Sequence, residues 1–220
     1  RIAFNRAFVA QGLNVEWSVE AYGDLLTIAG GKERMRHYFE QAGWPPDIDD
    51  RDTFIKGLHK AKTNLFMQII EDGQLPLRAG VARLADEAIA AGLTLAVCST
   101  SNERAVTLIV ERLLGAERRA RFAGIFAGDI VSRKKPDPEI YNLARTELGL
   151  AARECLVVED SRNGLLAASS AGMPCIVTIS SYTGSEDFTE ADAVYRELGD
   201  PPGTHVTLAQ LMEAIGHDRS

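Results

Sequence analysis

Cysteine is scarce in these 220 residues. Only Cys98, Cys155 and Cys175 occur, with no Cys-x-x-Cys spacing, and two of them lie inside apolar runs. That pattern reads as buried small hydrophobes of a reducing compartment and not as a disulfide framework. No apolar run approaches the ~18 residues that a membrane-spanning helix needs. Positive charge is in deficit, with 24 Lys+Arg against 31 Asp+Glu and a net charge of −7. The sign disfavours wholesale binding to nucleic acid or to an anionic membrane, while leaving room for a local basic pocket that takes an anionic small molecule. No GxxxxGK[ST] run occurs, which excludes a Walker-type nucleotide site. Internal repeats and low-complexity tracts are absent as well. Disorder is excluded by what is present, since a 45% hydrophobic chain can bury a sizeable core.

Residues 1–13, 18–28, 31–42 and 52–72 show only helical periods, broken at Gly30-Gly31 and at Gly43-Trp44-Pro45-Pro46. The first of them, RIAFNRAFVAQGL, opens mid-period with no preceding cap, so an upstream segment is expected. After Gly73 the pattern changes. LTLAVCS (93–99), GIFAGD (124–129), CLVVED (155–160) and PCIVTIS (174–180) are short apolar runs bounded by turn residues. Helical stretches at 80–91, 102–115, 138–148 and 163–171 alternate with them, and a last helix is expected over 207–215 after the Pro/Gly loop 200–203. Strands that alternate with helices predict βαβ units around a buried parallel sheet. The expected fold class is therefore α/β, with a helical unit over residues 1–73 and a Rossmann-like parallel-sheet unit over 74–220.

Ligands of an open parallel sheet bind beyond the carboxyl ends of the strands. The first apolar run ends in Ser99-Thr100-Ser101-Asn102, where a hydroxyl and helix N-terminal N–H groups suit a phosphate; the plainer reading is a helix cap. The second is followed by Lys134-Lys135-Pro136-Asp137-Pro138, in which a lysine held before a proline can project as a fixed positive charge. A solvated lysine pair is the alternative. The third ends in Glu159-Asp160, adjacent hard-oxygen ligands suited to Mg²⁺, or else a strand end meeting solvent with Asp160 as a cap. Each signal is weak alone. Their order along one sheet places hydroxyl, ammonium and carboxylates around one crevice, the set that phosphoryl transfer requires.

AVCSTSN, KKPDP and VVEDS resemble the second, third and fourth motifs of the haloacid dehalogenase superfamily, and the helical segment ahead of them resembles its helical cap. More narrowly, GGKERM, GLHKAKT, AVCSTSNE, FAGDIV, KKPDPEIYNLA and SSYTGSEDFTEADAV are similar to the CbbY-type branch, above all to its plastid members. The resemblance implies a helical cap over 1–73, a core over 74–220, and a Mg²⁺-dependent phosphatase acting on a sugar bisphosphate, notably xylulose-1,5-bisphosphate, an inhibitory by-product of Rubisco. It implies that Ser99, with the N–H of Thr100 and with Ser101, holds the transferring phosphoryl group. It also implies that Lys135 offsets charge and that Glu159 and Asp160 serve the metal. Of the two lysines, Lys135 is preferred because the family's lysine directly precedes the proline. Lys32 and Arg34, which open a helix after Gly30-Gly31, are the candidates for the second phosphate, with His59, Lys60 and Lys62 behind them. Trp17, Trp44 and Tyr22 are expected in the core of the helical unit.

The same resemblance places the first motif, an Asp-x-Asp that carries the nucleophile, ahead of Arg1. The 220 residues would then lack that strand and not turn over alone. The partner expected is a small sugar phosphate, with no nucleic acid and no membrane, the protein a monomer of the chloroplast stroma or of a bacterial cytoplasm. A β-phosphoglucomutase-like mutase shares the core motifs and is the nearest rival. A receiver-like signalling module, or a remnant that only binds phosphate, is the rival from another class.

Overall fold

The computed structural model describes residues 1–216, which divide into two compact units, Arg1–Leu75 and the chain from Pro76 onward. In the first, four helices pack: α1 (Ile2–Ala10), α2 (Val19–Leu25), α3 (Gly31–Ala42) and α4 (Arg51–Glu71). Helical spacing puts Phe4, Ala7 and Phe8 of α1, Met35 and Phe39 of α3, and Ile55 and Leu58 of α4 into one core with Trp17. Trp17 is sealed between Phe4 and Phe8, with ring centroids 4.8 and 4.9 Å away. Its backbone is held by Asn5, whose Oδ1 accepts from the Trp17 N–H at 2.9 Å. Trp44 and Tyr22 pack against the same core. Side-chain caps start two of the helices: Ser18 Oγ accepts from the Ala21 N–H, and Asp50 Oδ1 from the Thr53 N–H, each at 3.0 Å.

The second unit alternates strand and helix. Its elements are α5 (Val81–Ala90), β1 (Leu95–Ser99), α6 (Glu103–Ile109, running on into a π-helical turn over Val110–Leu114), α7 (Ala116–Arg119) and β2 (Phe122–Ala127). There follow α8 (Glu139–Glu147), β3 (Val157–Glu159), α9 (Arg162–Ser170), β4 (Cys175–Thr178), β5 (Ala193–Tyr195) and α10 (Leu208–Gly216). Every strand pairing is parallel, as the βα alternation predicts: β1 with β2, and β3 with β4 with β5. Among the described residues no ladder joins β1 to β3. No helix of the described residues is long and apolar enough to cross a membrane.

Helices pack on both faces of the three-stranded sheet, while Val158 of β3 and Val194 of β5 stay exposed. Val157, Cys175 and Val177 meet Ile140, Tyr141 and Ala144 of α8 and Leu165, Ala167 and Ala168 of α9. Ile176 meets Leu211 of α10 and Val81 and Leu84 of α5 on the other side. Gly92, at φ +72°, turns the end of α5 into β1, a backbone state that a side chain resists. Arg83 ties the C-terminal segment down, donating to the carbonyls of Leu198, Gly199 and Val206 at 3.1, 2.8 and 2.9 Å. The three cysteines are free thiols, and burial pushes Cys98 up to about 11 and Cys175 to about 12. They stay protonated at neutral pH, in keeping with the reading as small hydrophobes.

Two expectations are corrected and one strand is added. The second strand ends at Ala127, two residues earlier than expected, because Gly128 takes φ +70° and Gly128–Ile130 form a 3₁₀ turn. The expected helix 102–115 is α for only seven residues before it widens. β5, three residues long, was too short a run to be told from a loop.

Candidate active site

The carboxyl end of β1 holds the first group. Ser99 Oγ accepts from the Ser101 N–H at 3.1 Å, closing the turn that leaves the strand. The next residue but two, Asn102, is the cap of α6, accepting from the Ala105 N–H at 3.4 Å. The hydroxyl run and the cap are thus different residues, so capping does not account for Ser99. Ser99 and Thr100 are half-buried and Ser101 is exposed.

Lys135 enters from the loop before α8 and is buried, with 8% of its surface exposed. Its ammonium donates to the Cys98 carbonyl at 3.0 Å, to the Tyr141 hydroxyl at 2.9 Å and to Glu159 Oε1. Those three acceptors sit on β1, α8 and β3, so one cation ties the residue before Ser99 to the residue before Asp160. Tyr141 also donates to Glu159 Oε1, and burial beside that carboxylate holds the phenol well above its ordinary pKa. Lys134 points elsewhere: its ammonium is engaged by the Gly128 carbonyl and by Asp129 Oδ1, the latter at 3.0 Å. The structure therefore separates the two lysines that sequence left side by side.

Glu159 is fully used. Lys135 and Tyr141 share its Oε1, and the Asp160 N–H donates to its Oε2 at 3.3 Å. The carboxylate lies so close to the first turn of α9 that a Cβ on Gly164 would overlap it. Asp160 stands at the rim, its side chain exposed. Even so, surrounding protein raises its carboxyl, with the like charge of Glu159 as the second cause. Arg78 and Lys135 oppose that shift and Glu186 adds to it. The cap of α9 is Ser161, whose Oγ accepts from the Gly164 N–H at 3.3 Å, so Asp160 does not do that work. Among the described residues no group of three or more His, Cys, Asp or Glu side chains gathers as a ready metal cage. Two adjacent hard-oxygen carboxylates at the end of β3 fit Mg²⁺, which takes one or two protein carboxylates and completes its shell with water and phosphate.

The other candidates lie in the helical unit. Lys32, in the first turn of α3, helps line a cavity of about 350 Å³ with Glu33, Arg36, His37, Glu40, Asp52, Ile55 and Lys56. Arg34 is a correction. It is buried, and its guanidinium donates to the Leu25 and Ile28 carbonyls at 2.9 Å each and to the Tyr22 hydroxyl at 3.3 Å. Its fork clamps the end of α2 and is not presented to a ligand. His59 packs against Gly31, where an added Cβ would meet its Nε2 at 2.9 Å, and Lys60 is exposed.

Lys62 sits over the rings of Phe4 and Phe66, 5.1 and 5.8 Å from their centroids. Desolvation, with the Arg34 charge second, lowers its pKa to about 8. A lysine lowered in the fold opposes folding in full below about pH 8, and the penalty fades as pH rises to the ordinary lysine range, where the unfolded chain loses its proton as well. Lys62→Met is therefore expected to raise stability at pH 7 by about 1 kcal/mol, the shift being discounted for partial exposure. The gain should fade as pH rises from about 8 toward the unfolded value, which urea unfolding at pH 7 and pH 10 measures.

Sequence reading missed Tyr141, Gly164, Arg78 and Glu186. A tyrosine six residues past Lys135 and a glycine in the turn after Glu159-Asp160 were the signals available.

Known proteins resemble this chain throughout. The sequence profile of the haloacid dehalogenase-like hydrolases matches residues 1–172. A CBBY-like protein of Arabidopsis thaliana is 56% identical over 213 residues, 95% of this chain. The chain spans 66% and 62% of the lengths of two A. thaliana relatives, less than two thirds of either. The CbbY protein of Rhodobacter capsulatus is 44% identical over 192 residues, 87% of this chain and 83% of that protein. The solved structure of a mutant CbbY from Rhodobacter sphaeroides in complex with xylulose-1,5-bisphosphate superposes with a TM-score of 0.85 at 38% identity. That match covers 96% of this chain and 90% of the other.

Proposed function

The chain belongs to the haloacid dehalogenase-like hydrolases, and from that premise we propose that it supplies the phosphate-handling residues of a Mg²⁺-dependent phosphatase acting on a sugar bisphosphate, xylulose-1,5-bisphosphate foremost. The observation that carries the proposal is the Lys135 ammonium, which links the carboxyl ends of β1 and β3 through Cys98 and Glu159. A buried cation beside a rim carboxylate and a strand-end hydroxyl is what a phosphoryl group losing its bond to sugar needs around it. The bisphosphate held by the R. sphaeroides relative supports the substrate.

In this reading Ser99 and the N–H of Thr100 orient the phosphoryl oxygens, with Ser101 at the edge of the same turn. Lys135 offsets charge that builds up on that group. Asp160 is the metal's protein ligand, and Glu159 stands behind it, held by Lys135 and Tyr141. When bound, Mg²⁺ would neutralise phosphoryl oxygens. The unit Arg1–Leu75 is the cap, and Lys32 in it receives the phosphate that stays on the sugar. A plastid setting belongs to the same proposal.

Assays use the complete gene product. The proposal predicts phosphate release from xylulose-1,5-bisphosphate that stops when Mg²⁺ is chelated; no release with Mg²⁺ present would refute it. Lys32→Ala should weaken the bisphosphate about 10–100-fold, the range of a lost charge-assisted contact, and leave monophosphates alone. Unchanged preference for bisphosphate over monophosphate would remove Lys32 from the site.

A further inference from the structure

We propose that Tyr141 is a positioning residue for phosphoryl transfer, its hydroxyl fixing the Lys135 ammonium against Glu159. The inference deepens the phosphatase reading and rests on it. Tyr141 lies on α8 and is 5% exposed. Its ring lies beneath the ammonium, with Nζ 4.6 Å from the centroid, and its hydroxyl accepts from Lys135 at 2.9 Å while donating to Glu159 Oε1. An ammonium has three N–H bonds, and here the Cys98 carbonyl, the Tyr141 hydroxyl and the Glu159 carboxylate take one each. Lysine is a compact charge on a flexible stem, and nothing in its own geometry fixes where that charge stands. Three acceptors on three different elements do.

The hydroxyl is the part that packing does not explain. The ring belongs to the cluster of Ile140, Ala144, Val157 and Leu165, and phenylalanine would fill that space equally well. Only the phenol oxygen reaches both charged groups. Without it one ammonium donor and one carboxylate acceptor lose a partner together, and the lysine can swing away from the end of β1. Small misplacements of a charge-stabilising group are costly: about 1 Å can lower a rate by ~10²-fold.

The test is Tyr141→Phe in the complete gene product, with two readings. Turnover of xylulose-1,5-bisphosphate should fall about 10–100-fold, with KM within about twofold and a modest drop in melting temperature from the lost hydrogen bonds. A merely structural tyrosine would lower the melting temperature and leave turnover of the folded protein at the parental level, and that result overturns the proposal. The second reading is the ¹⁵N-labelled side-chain ammonium of Lys135, assigned by its loss in Lys135→Met. It should be protected from solvent exchange in the parent and lose that protection in Tyr141→Phe. Retained protection overturns the positioning of Lys135, whatever the turnover. If the parent releases no phosphate, the phosphatase reading fails on that result, and the ammonium signal still decides whether Tyr141 holds the lysine.

Discussion

Lys135→Met in the complete gene product is expected to lower turnover of the bisphosphate by at least 10²–10³-fold, the scale seen when one preorganised charge or donor is removed from a reacting group. It should also destabilise the fold by about 3–5 kcal/mol, because it strands a carboxylate inside the protein. Both side chains of the Lys135–Glu159 pair are only about 10% exposed. Water is a poor substitute at that depth, so Glu159 would keep its hydrogen bonds from Tyr141 and the Asp160 N–H and lose its countercharge. The two effects separate in the double variant Lys135→Met with Glu159→Gln. Removing the stranded charge should restore most of the unfolding free energy, measured by urea titration, and none of the activity. Recovery of both would make Lys135 a purely structural partner. Parental turnover in Lys135→Met alone would remove it from the mechanism.

Gly164→Ala carries the second large effect, against the usual trend. Alanine in a helix interior ordinarily gains about 1 kcal/mol over glycine. At Gly57 in α4, where a Cβ meets nothing within 4 Å, that gain is the expected result. At Gly164 the new methyl overlaps the Glu159 carboxylate, which is pinned by Lys135, by Tyr141 and by the Asp160 N–H and has no slack to yield. The carboxylate must leave, and the ammonium and Asp160 lose their fixed neighbour. Turnover should fall about 10–100-fold, with a loss of about 1–3 kcal/mol, as overpacking costs. Opposite signs in the unfolding of Gly57→Ala and Gly164→Ala would bear this out. A stabilised, fully active Gly164→Ala would show that Glu159 need not sit where it does.

The elements that position the site were legible because they are local. Apolar runs such as 93–99 and 155–160 mark strands, and periodic stretches between them mark helices, so the three strand-end clusters could be found from sequence. What escaped depended on contacts between distant residues. Arg34 looked like a helix-terminal cation and is instead a buried fork filled by two carbonyls and a tyrosine, because its neighbours in space come from residues 22–28. Tyr141 looked like one more core aromatic of an amphipathic helix; its hydroxyl matters only once β3 brings Glu159 alongside. Gly164 resembled any small residue of a helix first turn until the carboxylate packed against it. β5 has three residues, too few to show a period of two.

The most direct measurement follows both products of one reaction. The complete gene product, with Mg²⁺, is offered xylulose-1,5-bisphosphate and, separately, β-glucose-1-phosphate, while free phosphate and sugar phosphates are recorded together. Rapid phosphate release from the bisphosphate, abolished by Lys135→Met, with little conversion of the glucose phosphate, is the predicted outcome. Isomerisation of the glucose phosphate without phosphate release would assign these same residues to a mutase and contradict the account.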